Sequence, residues 1–270
     1  NFFNEEVKVN ITASDGGSGL AEMALTVGEK TYTSTTVTNG VYTFTLPVDE
    51  ALDTKTGKLL IAGAVSAKVT DNVGHDSEAT PTEKNSNIQS DNLMIETIKP
   101  EADITVSGSN KYGNWYSSDV KFTVKATDSD SGVRSVIASI NGKELLNKDF
   151  SKSNEKTVST DAFTVSTKDA KINSDGSYEL KVTVTDNAGN VSKEYTQKVY
   201  KDITAPVITG FAFNAKDYKE GREDTASVEA TDYGFYFKKD TTVTISAKDD
   251  SHSSGIKSIT YYTVDVDNNK

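Results

Sequence analysis

The chain contains no cysteine, which excludes disulfides, thiolate metal sites and cysteine nucleophiles together. Histidine is almost as scarce. His75 and His252 are the only two, far apart and both in turn-rich stretches, where we read them as solvated loop residues. No G-x-S-x-G elbow, H-E-x-x-H helix, P-loop or G-x-G-x-x-G run occurs, so the common signatures of catalytic chemistry are missing. The basic residues are nearly all lysine, with Arg134 and Arg222 the only arginines, which weakens any case for bidentate recognition of phosphate or carboxylate. The longest apolar run, "LLIAGAV" from Leu59 to Val65, is too short for a transmembrane helix.

What is present is acidic and rich in strand formers. Forty Asp and Glu against 29 Lys and Arg give a net charge of −11 and a pI near 4.8. Such a surface repels phosphate backbones, so nucleic acid is not an expected partner. Twelve Tyr and ten Phe supply core material, and abundant Thr, Ser and Val suit a folded, strand-rich protein. At 270 residues the chain is long enough for two or more domains. It does not begin with Met and shows no signal peptide; we read it as a segment of a longer polypeptide.

Two landmarks repeat. The first is an alternating strand ending in Ala-x-Asp, followed by Ser-Gly and an aliphatic residue. It occurs as "VKVNITASDGGSGL" from Val7, "VKFTVKATDSDSGV" from Val120 and "VTISAKDDSHSSGI" from Val243. The second is an Asp-Asn-x-Gly turn, in "KVTDNVGHDS" at Asp71 and "TVTDNAGNVS" at Asp186. Asp15 and Asp128 lie 113 residues apart, Asp128 and Asp249 lie 121 apart, and Asp71 and Asp186 lie 115 apart. One nearly constant period means tandem domains, too long for solenoid units and of sandwich size.

Alternation within the strands points the same way. Val120, Phe122, Val124 and Ala126 fall on one face, as do Tyr178, Leu180, Val182 and Val184, with polar residues between them. Period two with one wet face predicts antiparallel sheets packed as sandwiches. Asn39-Gly40 and Asn141-Gly142 are hairpin signals. Tyr178 stands where a tyrosine corner would, while the first copy has Gly63 there. Only "VDEAL", Val48 to Leu52, suggests a single helical turn. The fold class is therefore all-β.

The "A-x-D…S-G" strand, "DGSY", "VTDNAGN" and the boundary "KDITAP" (Lys201 to Pro206) together resemble the bacterial immunoglobulin-like repeats of large extracellular and surface proteins. The resemblance spans the whole chain and implies tandem immunoglobulin-like β-sandwiches arranged as an elongated rod. Domains are expected at 1–98, without a first strand of its own, at 99–203, and at 204–270, cut after about its third strand. A fragment boundary accounts for the incomplete ends; the alternative is strand addition from a neighbouring chain.

In such a topology the loop after the second strand and the hairpin after the sixth lie at one end of the sandwich. Asp128, Asp130 and Asp186 are then neighbours, close to the linker residue Glu101, and could hold Ca²⁺ through oxygen ligands. Asp15 and Asp71 pair likewise in the first copy, and Asp249 and Asp250 face the linker Asp202. The competing reading is structural, since Asp at strand ends accepts backbone hydrogen bonds and Asn-x-Gly closes hairpins. An internal Lys–Asn isopeptide bond needs a buried lysine, but Lys8, Lys121, Lys125 and Lys181 all fall on the wet face.

Aromatic residues recur before each second strand, as Phe2-Phe3, Trp115-Tyr116 and Phe235-Tyr236-Phe237. Trp115 and Tyr116 are the natural ligand-binding candidates, for a glycan or host protein; recurrence at one place in every repeat favours packing instead. The sequons at Asn10 and Asn190 matter only in a eukaryotic secretory pathway. The resemblance implies a non-catalytic extracellular stalk, partnered by neighbouring immunoglobulin-like domains and without membrane insertion in this segment. An adhesive or carbohydrate-binding module is the alternative, as is an accessory part of a secreted glycosidase.

Overall fold

The structure, a computed structural model, describes residues 1–82, 84–87, 92–109, 112–165, 173–213 and 242–263. Every regular element in it is a strand. The segment expected to make a helical turn forms a tight turn closed by the Ala51 amide on the Val48 carbonyl (3.1 Å). Its few residues carry no repeating apolar face that could extend a helix.

The first strand set comprises β1 (Phe2–Phe3), β2 (Val7–Thr12), β3 (Leu20–Val27), β4 (Lys30–Ser34), β5 (Val41–Leu46), β6 (Leu52–Asp53), β7 (Lys58–Leu59), β8 (Ala62–Asp71), β9 (Asp76–Ala79) and β10 (Asn92–Ile95). One sheet runs β1-β10-β8-β3-β4, with β9 also on β8, and β2 pairs with β5 in a second. Their inner faces share one core of Met23, Leu25, Val27, Tyr42, Phe44, Leu46, Ile61 and Leu93. Each large side chain buried there contributes roughly 1.5–3 kcal/mol.

The second strand set comprises β11 (Glu101–Ser107), β12 (Trp115–Tyr116), β13 (Val120–Thr127), β14 (Val133–Ile140), β15 (Lys143–Asp149), β16 (Thr157–Ser159), β17 (Phe163–Val165), β18 (Ser177–Asp186) and β19 (Tyr195–Lys201). Here β11-β13-β16, with β17 on β13, forms one sheet and β12-β19-β18-β14-β15 the other. This is the immunoglobulin-like arrangement of two mainly antiparallel sheets. Alternation is realised as the residue pattern predicts: Val120, Phe122, Val124, Ala126, Leu180, Val182 and Val184 are all buried. Asn141-Gly142 joins β14 to β15 in a hairpin with positive φ at both residues (46° and 84°). Asn39-Gly40, also at positive φ, closes only a local Thr38–Val41 turn, because β4 and β5 lie in different sheets.

The recurring aromatics have a role in the fold. β1 runs parallel to β10 and β12 runs parallel to β19, so each pair of aromatics forms a short strand beside the last strand of its set. The third occurrence, Phe235-Tyr236-Phe237, lies outside the described residues.

Two final strands, β20 (Val207–Phe213) and β21 (Val243–Lys248), pair antiparallel. By compactness the chain divides into two units. One comprises Asn1–Ser107, Lys121–Lys171 and Glu179–Gln197, the other Gly108–Val120, Ile172–Tyr178 and Lys198–Lys270. The acidic cluster described next lies wholly within the first. No described helix is long and apolar enough to cross a membrane.

Candidate metal centre

β13 delivers Asp128 to a loop that folds around its carboxylate. Asp128 Oδ1 accepts from the amides of Asp130 (3.2 Å) and Gly132 (2.6 Å) and from the Ser131 hydroxyl (3.4 Å). Gly132 has a φ of +84°, and a Cβ there would lie 3.0 Å from the Glu155 carbonyl oxygen. The Ser-Gly of the repeat is thus a backbone requirement. β18 delivers Asp186 in the same way. Its Oδ1 accepts from the amides of Gly189 (2.7 Å) and Asn190 (2.8 Å), and its Oδ2 from Asn190 Nδ2 (2.8 Å). The loops are tied together by the Asn187 amide on the Gly132 carbonyl (2.9 Å) and Asn187 Nδ2 on the Ser131 carbonyl (3.0 Å).

The third carboxylate comes from the linker. Glu96 follows β10 directly, its amide donating to the Phe3 carbonyl (2.9 Å) and its carbonyl accepting from Asn190 Nδ2 (2.9 Å). One carboxylate oxygen from each of Glu96, Asp128 and Asp186 lies within 4.8 Å of the others. Glu96 and Asp186 are 0% exposed and Asp128 is 3% exposed. Both Glu96 carboxylate oxygens and Asp128 Oδ2 have no hydrogen-bond partner.

This arrangement is electrostatically incomplete. Burial pushes the Glu96 carboxyl up to about 8, helped by the charges of Asp186, Asp128 and Asp130; the nearby Ser131 hydroxyl offsets this only in part. Burial, reinforced by Asp128, also raises Asp186, against the hydrogen bonds from Asn190 and Gly189. Among the described ion pairs, none involves the three acids. Carboxylates held this deeply need either protons or a cation. An all-carboxylate donor set, without sulfur or imidazole, suits a hard cation. Three carboxylates can provide up to about six oxygens, the number Ca²⁺ accommodates with flexible geometry, whereas Mg²⁺ retains several waters.

Of the residues expected from sequence, Asp128 and Asp186 meet. Asp130 is half-buried at the rim, anchored by its amide and by its carbonyl, which accepts from Lys156. Glu101 stays outside: it is exposed on β11, opposite Thr127. Its expected place is taken by Glu96, because the strand begins at Glu101 and turns that side chain to the wet face. The overlooked signal is a repeated spacing, since an acid stands four residues before proline in both linkers, Glu96–Pro100 and Asp202–Pro206.

The other acidic loops differ. In the first copy, Asp15 Oδ2 accepts from the amides of Gly17 (3.0 Å) and Gly19 (2.6 Å). Asp71 Oδ1 accepts from the amides of Val73 and His75 (2.9 Å each), and the His75 ring lies 3.0 Å from Asp71 Oδ2. The His75 amide and ring hold the Asp71 carboxyl down to about 2. Near the second linker, Asp202 Oδ2 accepts from the Ser254 amide and hydroxyl, both at 2.7 Å. Asp249 is half-buried and Asp250 exposed, and the Asp250 amide donates to Asp249 Oδ1 (3.0 Å). His252 Nε2 lies 3.2 Å from the Ser174 carbonyl oxygen.

Trp115 is half-buried and stacks on Tyr200, ring centroids 4.7 Å apart. Tyr116 is 2% exposed and packs beneath Gly108, where a Cβ would meet its ring at 2.6 Å. It therefore presents no face to a ligand, and only Trp115 retains an accessible ring. Lys8, Lys121 and Lys125 are exposed, and Lys181 pairs with Glu194 at 2.7 Å, so none is a buried isopeptide lysine. The sequon residue Asn190 is buried within the acidic cluster.

No family model matches the chain, and no curated protein does either. Among solved structures it is similar to fibronectin(III)-like modules of Clostridium thermocellum CbhA, at 16% identity and a TM-score of 0.35, covering 74% of this chain and 87% of that one. It is also similar to a structure of a 1.5-MDa bacterial ice-binding adhesin, at 17% identity and a TM-score of 0.36, covering 78% of this chain and 62% of that one.

Proposed function

We propose that this chain is a non-catalytic spacer segment of a bacterial extracellular or surface protein, built of immunoglobulin-like modules at residues 1–98, 99–203 and 204–270. We further propose that Ca²⁺ at Glu96, Asp128 and Asp186 locks the first module to the second. The observation that carries this is the buried cluster of three carboxylates, from a linker and from two loops of the following module, in which both Glu96 oxygens and Asp128 Oδ2 have no hydrogen-bond partner. A cation there replaces a repulsive contact by a cross-link, so the linker loses freedom to bend. The acidic surface resists self-association, which suits a presented spacer.

Calorimetric titration with CaCl₂ at pH 7.5, alongside thermal melting, tests this reading. One ion per chain with a rise in Tm is expected. No heat and no change in Tm at millimolar Ca²⁺ removes the site. A second reading, carbohydrate recognition, draws on Tyr112, 72% exposed beside the stacked Trp115 and Tyr200. Glycan-array binding that is lost on Tyr112→Ala supports it.

A further inference from the structure

We propose that the free edge of β2, with the groove behind it, is an acceptor site for an added β-strand. Its occupant is the first strand of another module of this kind: an extended segment patterned like β11 and antiparallel to β2.

β2 pairs along one edge with β5 from Val7 to Thr12, and among the described residues its other edge has no strand partner. A row of unpaired amides and carbonyls on an alternating strand is a template for strand addition. The inward side chains are incompletely covered as well. Val7, Val9 and Ile11 are only half-buried, whereas their counterparts Val120, Phe122 and Val124 are fully buried. Behind them lies a groove of about 500 Å³ that reaches core residues Leu25, Val65 and Leu93.

The second strand set contains the missing piece. β11 lies antiparallel on β13, with Ala102 opposite Ala126, Ile104 opposite Val124 and Val106 opposite Phe122. Carried over by the repeat, the same strand sets its apolar residues opposite Ala13, Ile11 and Val9 and fills the groove. The wet face is compatible: in this register Asp103, Thr105 and Ser107 stand opposite Thr12, Asn10 and Lys8, so no like charges meet across the pair.

The repeat also supplies the test, because Asn114-Trp115 aligns with Asn1-Phe2. The chain is extended by a second copy of residues 99–113 placed directly before Asn1, with every native residue retained. A matched chain carries Ile104→Asp in the added copy only. Hydrogen exchange at the Val7–Thr12 amides and light scattering are then measured at several concentrations. At least tenfold slower exchange in a monomer, lost in the Ile104→Asp version, is expected. Unchanged exchange, or equal slowing in both versions, overturns the proposal. Concentration-dependent slowing in the unextended chain, with a dimeric mass, also overturns it, since the occupant is then a second copy.

Discussion

The chain builds the same two-loop end twice, and the two copies end in opposite electrostatic states. In both, a strand-end Asp takes the amides of a Ser-Gly loop, a second Asp takes the amides of a Gly-containing hairpin, and an Asn ties the loops together. Asn72 bonds to Ser18 in the first copy as Asn187 bonds to Ser131 in the second. The first end is open to water, and the His75 amide and ring hold Asp71 down to about 2. At the second end, Asn190 replaces His75, the linker covers the loops, and Glu96 joins them. There Asp186 is pushed up and Glu96 rises to about 8. Local loop geometry is therefore not what sets the charge state of the two ends. What differs is burial together with a third carboxylate, because desolvation sets the sign of the shift.

The comparison breaks most severely at the second Asp. Asp186→Ala removes the carboxylate that accepts from two loop amides and takes away one of the two acceptors of the Asn190 side chain. With Ca²⁺ present it is expected to cost about 3 kcal/mol in urea unfolding, whereas Asp71→Ala, at the more open end, is expected to cost clearly less. Equal losses at the two sites would mean that burial is not what distinguishes them.

The next effect isolates Glu96. Folding raises this carboxyl from its ordinary value of 4.5 to about 8. The metal-free folded state therefore holds a proton that the unfolded state has released within that window. Stability of the metal-free protein is fully present below the ordinary value and falls as pH rises toward 8. At the proposed site Ca²⁺ competes with that proton, so its stabilisation is expected to grow with pH over the same window. Melting curves from pH 4.5 to 8.5, with EDTA and with Ca²⁺, are expected to slope in opposite directions. Glu96→Gln is expected to flatten the EDTA curve, raise metal-free stability at pH 8 by on the order of 1 kcal/mol, and weaken Ca²⁺ binding at least tenfold. An unchanged slope in Glu96→Gln removes Glu96 as the source.

Smaller effects refine the contrast. Asn190→Ala removes bonds to both Asp186 and the Glu96 carbonyl and is expected to cost about 1–2 kcal/mol by chemical denaturation. His75→Ala at the matching position removes a ring that is 83% exposed. Its expected change is within about 0.5 kcal/mol.

Much of the fold was legible because it rests on short-range physics. Alternation in β13 and β18 marked their buried faces, and Asn141-Gly142 marked a turn that needs positive φ at both residues. Asp128 and Asp186 were legible as partners because an immunoglobulin-like topology brings the loop after the second strand and the hairpin after the sixth to one end of the sandwich. Glu96 was not legible, because linker acids look alike in sequence and only the start of β11 decides that Glu101 faces water. Phe2-Phe3 and Trp115-Tyr116 were legible as a recurrence, but their parallel pairing to β10 and β19 was not, since strands of two residues carry no periodicity.

By itself the sequence determined the all-β class, the repeat, the turn chemistry and the scarcity of catalytic side chains. Each of these depends on a residue and its near neighbours. Only the tertiary structure decided that Glu96 closes over Asp128 and Asp186 while Asp15 and Asp71 remain at an open end. Those three carboxylates come from distant segments, and their charge state follows from how much water the fold removes around them.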